Sequence, residues 1–275
     1  STGSLGHGLP VASGMALAAK IDKKSHKIFV VMSDGELDEG SNWEAFMFAA
    51  HHGLNNLTAV IDRNKLQSMR TTEETLSLEP LRDKLIAFGW NVIEVDGHDH
   101  DELFSAIDGD TKKPKVIIAN TIKGKGVSFM EHTAMESDAE MYRFHSGAPD
   151  AESYTKAAQE LIDTINIQLN KVEAEEIQLE IIERPVTAQQ EKTQRLIPAY
   201  TEALLEQAEK HKNLVALDAD LILDTGLIPF KEKFPDRFIE CGIAEQDMVS
   251  QAGTIALAGY IPIVHSFACF LTSRP

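Results

Sequence analysis

The chain has 275 residues, 43% of them hydrophobic, with 26 Lys plus Arg against 43 Asp plus Glu and a formal net charge of −17. That length suits one large or two ordinary domains with a sizeable core, and the charge repels phosphate backbones, so no nucleic acid partner is expected. No apolar run of about 18 residues is present to cross a membrane, no basic-then-apolar leader opens the chain, and Cys241 and Cys269 stand far apart as core thiols, so a cytoplasmic protein without a disulfide framework is expected.

The chain opens on a glycine-rich turn, Gly3, Gly6 and Gly8, leading into a small-residue helix. Strand 27–34, helix 42–53 closed by Gly53, and strand 57–64 follow. Then come helix 78–89 stopped by Gly89, strand 91–97, helix 99–107 begun by an Asp cap, and strand 114–121. Continuous apolar strands separated by helices predict an α/β fold: parallel sheets with helices on both faces. Residues 150–183 are rich in Glu, Gln, Lys and Ala with Leu and Ile at helical spacing, and read as a helical tail and linker ending at Arg184-Pro185. A second α/β unit begins with helix 190–210 and continues through strand 213–220, strand 237–242, helix 244–259 and strand 261–267. The expected divisions are 1–150, 151–187 and 188–275. Because the first residue lies inside a turn and the last apolar strand has nothing after it, the chain is expected to be a piece of a longer protein, with the start of the first unit and the end of the second missing.

Asp34 closes strand 27–34 at the carboxyl edge of a parallel sheet, where open α/β folds bind their ligands. Gly35 after it permits a turn that a residue with a side chain would resist. Asp62-Arg63-Asn64 ends the neighbouring strand, so its polar groups can converge with Asp34. A carboxylate and an amide oxygen are hard donors suited to Mg²⁺ or Ca²⁺. An Asp-Gly pair by itself is an ordinary turn signal.

Asp-Gly followed 30 residues later by Asn64 resembles the thiamine diphosphate motif, and the stretches "STGSLGHG", "SDGELDEGSNWEA" and "IDRNKLQ" resemble the transketolase family in particular. The resemblance implies thiamine diphosphate and Mg²⁺ as cofactors, with Asp34, Asn64 and the backbone carbonyl of Leu66 as metal ligands. Gly3 and Leu5 would lie along the cofactor together with Gly35, and His7 beside that loop. Glu39 and Glu44 match acids at the family's subunit interface. One departure is Ser33, where the family has Gly close to the diphosphate.

"IECGIAEQDMVSQAGTIALAG" resembles the family's pyrimidine-binding segment, which makes Glu245 the acid beside the aminopyrimidine ring. A carboxyl shielded from water keeps its proton more readily, as that role requires. Without the resemblance, Glu245 reads as a helix N-terminal acid meeting the macrodipole. Phe267 and Phe270 match aromatics packed on the pyrimidine, or serve as core packing. Asp220 matches an Asp near the thiazolium, and His145 in "RFHSGAP" an active-site His, or a surface loop histidine. Arg195 matches a substrate-phosphate ligand. Asp224 stands where the family presents a Ser to that phosphate, so the chain is expected either to disfavour phosphorylated sugars or to turn Asp224 to solvent.

The implied reaction is transfer of a two-carbon ketol unit from a ketose donor to an aldose acceptor through the thiazolium C2 carbanion. The alternatives are another thiamine diphosphate reaction, either 2-oxoacid decarboxylation or condensation of pyruvate with a sugar phosphate, or a non-catalytic subunit that keeps the fold. The implied assembly is an obligate homodimer or a split-subunit enzyme, with sugars or sugar phosphates as substrates.

Overall fold

The computed structural model describes residues 3–68, 70–109, 111–134, 142–180 and 195–273. Residues 1–121 with 196–275 form one compact unit, and 122–195 form another. The first unit opens with α1 (Gly8–Ile21), β1 (Ile28–Ser33), a 3-10 turn (Gly35–Asp38), α2 (Gly40–His51) and β2 (Leu57–Arg63). It continues through α3 (Thr72–Thr75), α4 (Leu81–Ala87), β3 (Asn91–Asp96), α5 (His100–Asp108) and β4 (Lys115–Asn120). The four strands make one parallel sheet in the order β1-β2-β4-β3.

Alternation along β4 explains why both faces of this sheet are covered. Val116 and Ile118 enter a core with Leu9, Phe46, Leu81 and Trp90, whereas Ile117 and Ala119 pack with Val95 and Ala106 on the other side. Side chains two apart share a face, so one continuous apolar strand serves two cores. Lys115 is 2% exposed at the head of β4, and its Nζ donates to the carbonyls of Ala106, Ile107 and Gly109 where α5 ends. A buried cation thereby meets the carbonyls that a helix C-terminus leaves unpaired.

In the second unit, α6 (Ala151–Lys171) is begun by the Asp150 side chain. The helical tail expected through 183 stops at Lys171, and the reason is local. Glu173 adopts a left-handed φ of 56°, and Asn166 exchanges two hydrogen bonds with the backbone of Ile177, folding residues 172–180 back along the helix. Residues 181–194, which hold Arg184-Pro185 and the expected start of the next helix, lie outside the described residues.

The first unit resumes with α7 (Ile197–Lys210), β5 (Leu214–Asp218), α8 (Ile222–Thr225), α9 (Ile228–Lys233), β6 (Phe238–Glu240), α10 (Glu245–Leu257), β7 (Ile261–His265) and α11 (Ala268–Ser273). Its second sheet is parallel, ordered β6-β5-β7. Leu214 and Ala216 face a core with Leu204 and Phe230, and Val215 and Leu217 face Met248 and Ala252. Both sheets therefore carry helices on both faces. Among the described residues no helix is long and apolar enough to cross a membrane.

Candidate functional site

Asp34 is 1% exposed and caps the 3-10 turn, its Oδ1 accepting from the Gly35 N–H at 2.9 Å. Its Oδ2 accepts from the Lys65 N–H at 2.6 Å and from Arg63 Nη1 at 3.2 Å, so the ends of β1 and β2 close on one carboxylate. Burial pushes this carboxyl up from its ordinary pKa, against the Lys65 N–H and the Arg63 guanidinium, which pull it down. Asn64 Oδ1 accepts from the Leu66 N–H at 3.0 Å, and Asn64 Nδ2 donates to Asp62 Oδ1 at 3.4 Å. The intervening Lys65 takes a left-handed φ of 65°, a conformation in which Asn64, Lys65 and Leu66 turn sharply past Asp34. Asp34, Asn64 and the Leu66 backbone thus share one hydrogen-bonded turn. Ser33 Oγ accepts from the Glu36 N–H, which anchors the same turn from its upstream side.

Gly35 is required here for a reason other than turn conformation. Its backbone is unexceptional, but a Cβ would stand 2.8 Å from Gln67 Cγ. The opening glycine loop reaches the same place: the Gly6 N–H donates to Glu36 Oε1 at 2.9 Å, and Ser41 Oγ donates to the Gly6 carbonyl at 2.7 Å. Gly6 has φ 83°, and a Cβ there would meet Glu39 Cβ at 2.8 Å. Gly3 is exposed, Leu5 is half-buried, and His7 is exposed at the start of α1. Glu39 is buried whereas Glu44 is exposed on α2.

The second sheet brings its own residues to this edge. Asp220 is 7% exposed with a left-handed φ of 56°; its Oδ2 accepts from the Ser68 N–H at 3.1 Å and its carbonyl from Ser68 Oγ at 3.0 Å. Asp38 Oδ2 accepts from Gln67 Nε2 at 2.6 Å and from the Ile243 N–H at 3.2 Å, two residues before Glu245. Glu245, 1% exposed at the first position of α10, accepts from Ser266 Oγ at 3.1 Å. Phe267 is 43% exposed and Phe270 half-buried, with ring centroids 5.9 Å apart. Asp224 is exposed on α8. His145 and Arg195 belong to the second unit, where both are exposed and His145 Nδ1 lies 2.7 Å from Lys123 Nζ.

Three sets of residues emerge only from the structure. In the sequence Arg63 reads as one member of a polar cluster; Glu73 and Glu79, 10 and 16 residues after it, are the available signal. Asp38 with Gln67 joins the two sheets, and burial pushes Asp38 up to about 6, with the Asp220 and Asp34 charges adding. At the carboxyl end of the second sheet, burial pushes Asp218 up to about 7 and Glu240 up to about 8, the latter raised further by Asp218. Among the described residues no group of three or more His, Cys, Asp or Glu side chains could hold a metal ion. The set at β1 and β2 offers one carboxylate, one amide oxygen and one backbone carbonyl, which suits a small hard cation that keeps other oxygen ligands.

Residues 1–214 match the family model described as transketolase, thiamine diphosphate binding domain, and residues 193–274 match transketolase, pyrimidine binding domain. One of the two subunits of the apulose-4-phosphate transketolase of Phocaeicola vulgatus is 48% identical over 168 residues, covering 60% of this chain and 57% of that protein. Human transketolase is 34% identical over 286 residues, covering 99% of this chain and 44% of that protein. The chain thus spans about half the length of these relatives. A solved transketolase from Campylobacter jejuni aligns with a TM-score of 0.46 and 22% identity, over 98% of this chain and 49% of that one.

Proposed function

The chain belongs to the transketolase family, and from that premise we propose that it carries out transfer of a two-carbon ketol unit from a ketose to an aldose with thiamine diphosphate and Mg²⁺. Thiamine diphosphate, when bound, supplies the nucleophilic carbon and electron sink for cleaving a bond beside a carbonyl. Asp34, Asn64 and the Leu66 carbonyl would hold the metal, a donor set that fits Mg²⁺. Gly3, Leu5 and Gly35 would border the diphosphate side and Asp220 the thiazolium side. Glu245 would hold a proton at N1′ of the pyrimidine, whose face would lie against Phe267 and Phe270. His145 would move hydroxyl protons of the sugar, and Arg195 and Asp224 would set which anionic end is accepted.

In this reading residues 1–150 serve the diphosphate and 188–275 the pyrimidine, joined by 151–187. The working form is an assembly of at least two chains, a homodimer or a split enzyme, with sugars as its substrates. Its compartment is the cytoplasm, in keeping with two free cysteines. The observation that carries the reading is the single hydrogen-bonded turn uniting Asp34 with Asn64 and Leu66. Full-length protein supplied with both cofactors should convert a ketose and an aldose into the exchanged pair, and Asp34→Ala or Asn64→Ala should abolish Mg²⁺-dependent thiamine diphosphate binding. Unchanged cofactor affinity in either variant would remove the metal assignment, and turnover of pyruvate in place of the ketose would replace the reaction.

A further inference from the structure

Arg63 ends β2 immediately before Asn64, and its guanidinium is 3% exposed. Nη1 donates to Asp34 Oδ2 at 3.2 Å and to Thr72 Oγ1 at 2.7 Å; Nη2 donates to Glu73 Oε1 at 3.0 Å and to Glu79 Oε1 at 2.8 Å. One buried side chain therefore grips the turn after β1, the start of α3 and the chain entering α4. Only a planar fork with several fixed donors can reach all four partners at once. Between Arg63 and Glu79 lies the loop that carries Asn64 and Leu66, closed further by the Thr72 N–H donating to the Lys65 carbonyl at 3.0 Å.

With the Gly35 and Lys65 N–H groups, Arg63 fixes the rotation of the Asp34 carboxylate, and that rotation decides where its remaining lone pairs point. Partners of a ligating carboxylate orient it in this way. We propose that Arg63 is a positioning residue for the metal: it holds the Asp34 carboxylate, and through Glu73 and Glu79 the loop bearing Asn64 and Leu66, in the orientation that receives Mg²⁺. The proposal rests on the reading of Asp34 and Asn64 as the metal's ligands. Arg63 acts through them and touches neither metal nor substrate.

The test is Mg²⁺ titration by calorimetry of the full-length protein saturated with thiamine diphosphate, in wild type, Arg63→Lys and Glu73→Gln/Glu79→Gln. Lysine keeps the charge and loses the fork, so the Mg²⁺ dissociation constant should rise about ten- to hundredfold. Thiamine diphosphate affinity should recover to the wild-type value at high Mg²⁺, a recovery that a merely structural role would not give. The double variant changes residues 37% and 54% exposed, leaves Arg63 on Asp34, and should raise the constant severalfold with the fold intact. A folded Arg63→Lys protein whose Mg²⁺ constant stays within twofold of wild type overturns the proposal. So does a loss of thiamine diphosphate affinity that excess Mg²⁺ fails to restore. If Arg63→Lys does not fold, an unchanged constant in the double variant overturns it. Wild-type protein that takes up no Mg²⁺ with the cofactor removes the underlying ligand reading and the proposal with it, an outcome distinct from the others.

Discussion

Glu245 and Asp224 occupy opposite extremes of exposure, and their predicted effects differ accordingly. Glu245 is shut away at the head of α10 with Ser266 as a donor, so a proton it holds is not shared with bulk water. Glu245→Gln keeps the shape and loses the transferable proton; exchange of the thiazolium C2 proton of bound cofactor, followed by NMR, should slow by about 10²- to 10⁴-fold. Exchange at the wild-type rate would refute the role. Asp224 is solvated, and a charge about 4 Å from a phosphate in water is worth about 1 kcal/mol, roughly fivefold. Asp224→Ser should therefore raise kcat/KM for phosphorylated over unphosphorylated ketoses by about that factor. No change in the ratio would mean that Asp224 does not face the sugar's anionic end. Asp34, Asn64 and Glu245 are legible in the sequence because motif spacing fixes them to strand and helix ends. Arg63 and Asp38 are not, because a charge in a polar run reads as surface until its partners are known. Arg63 draws partners from two later segments, and Asp38 from Gln67 and Ile243, the latter 205 residues away.

All seven strands follow from apolar runs bounded by Gly, Asn and Asp, and the edges shift by one or two residues where the last polar residue turns away from the ladder. The elements that the sequence pattern does not reveal are α3, α8, α9 and α11, each only four to six residues long. Helices so short have no periodicity to read and owe their existence to caps and packing, such as the reciprocal Thr71–Glu74 box at α3. Lys115 shows the same limit within a strand. Its place at the head of β4 reads as a solvated end, yet its ammonium closes α5. Lys115→Met should leave the carbonyls of Ala106, Ile107 and Gly109 without that donor and cost about 1–3 kcal/mol, a drop of several degrees in Tm by circular dichroism. A Tm unchanged within a degree would show that the contact contributes nothing net.

At the scale of the molecule, two features bear on behaviour in solution. Asp218 and Glu240 have folded-state pKa values of about 7 and about 8, raised above those of the unfolded chain, so between the ordinary carboxylate range and pH 8 the folded state binds more protons. Stability from this pair is then greatest at the acid end of that window and falls as pH rises through it. Tm should be a few degrees lower at pH 8.5 than at pH 6, and Glu240→Gln, which keeps an acceptor for the Asp220 and Gly242 N–H groups, should flatten the slope. A Tm that rises with pH across the window would contradict the assignment. The outer strand of the first sheet, β1, exposes Phe29 and Val31, the latter 75%. An apolar edge strand invites pairing with another chain. The 275-residue chain should accordingly self-associate with rising concentration in sedimentation, and Val31→Lys should reduce this; identical sedimentation of the two would clear the edge.

The bonds from Ser68 to Asp220 span 152 residues. Every strand of the first sheet has been synthesised by residue 120, but Asp220 follows 100 residues later, about 5–20 s at ordinary rates of translation. During that interval a nascent chain can complete its first sheet while the loop beyond β2 still lacks its anchor. Competence to hold the cofactor is in this sense the final event of biosynthesis, conferred on an already folded sheet by the late arrival of a distant strand end.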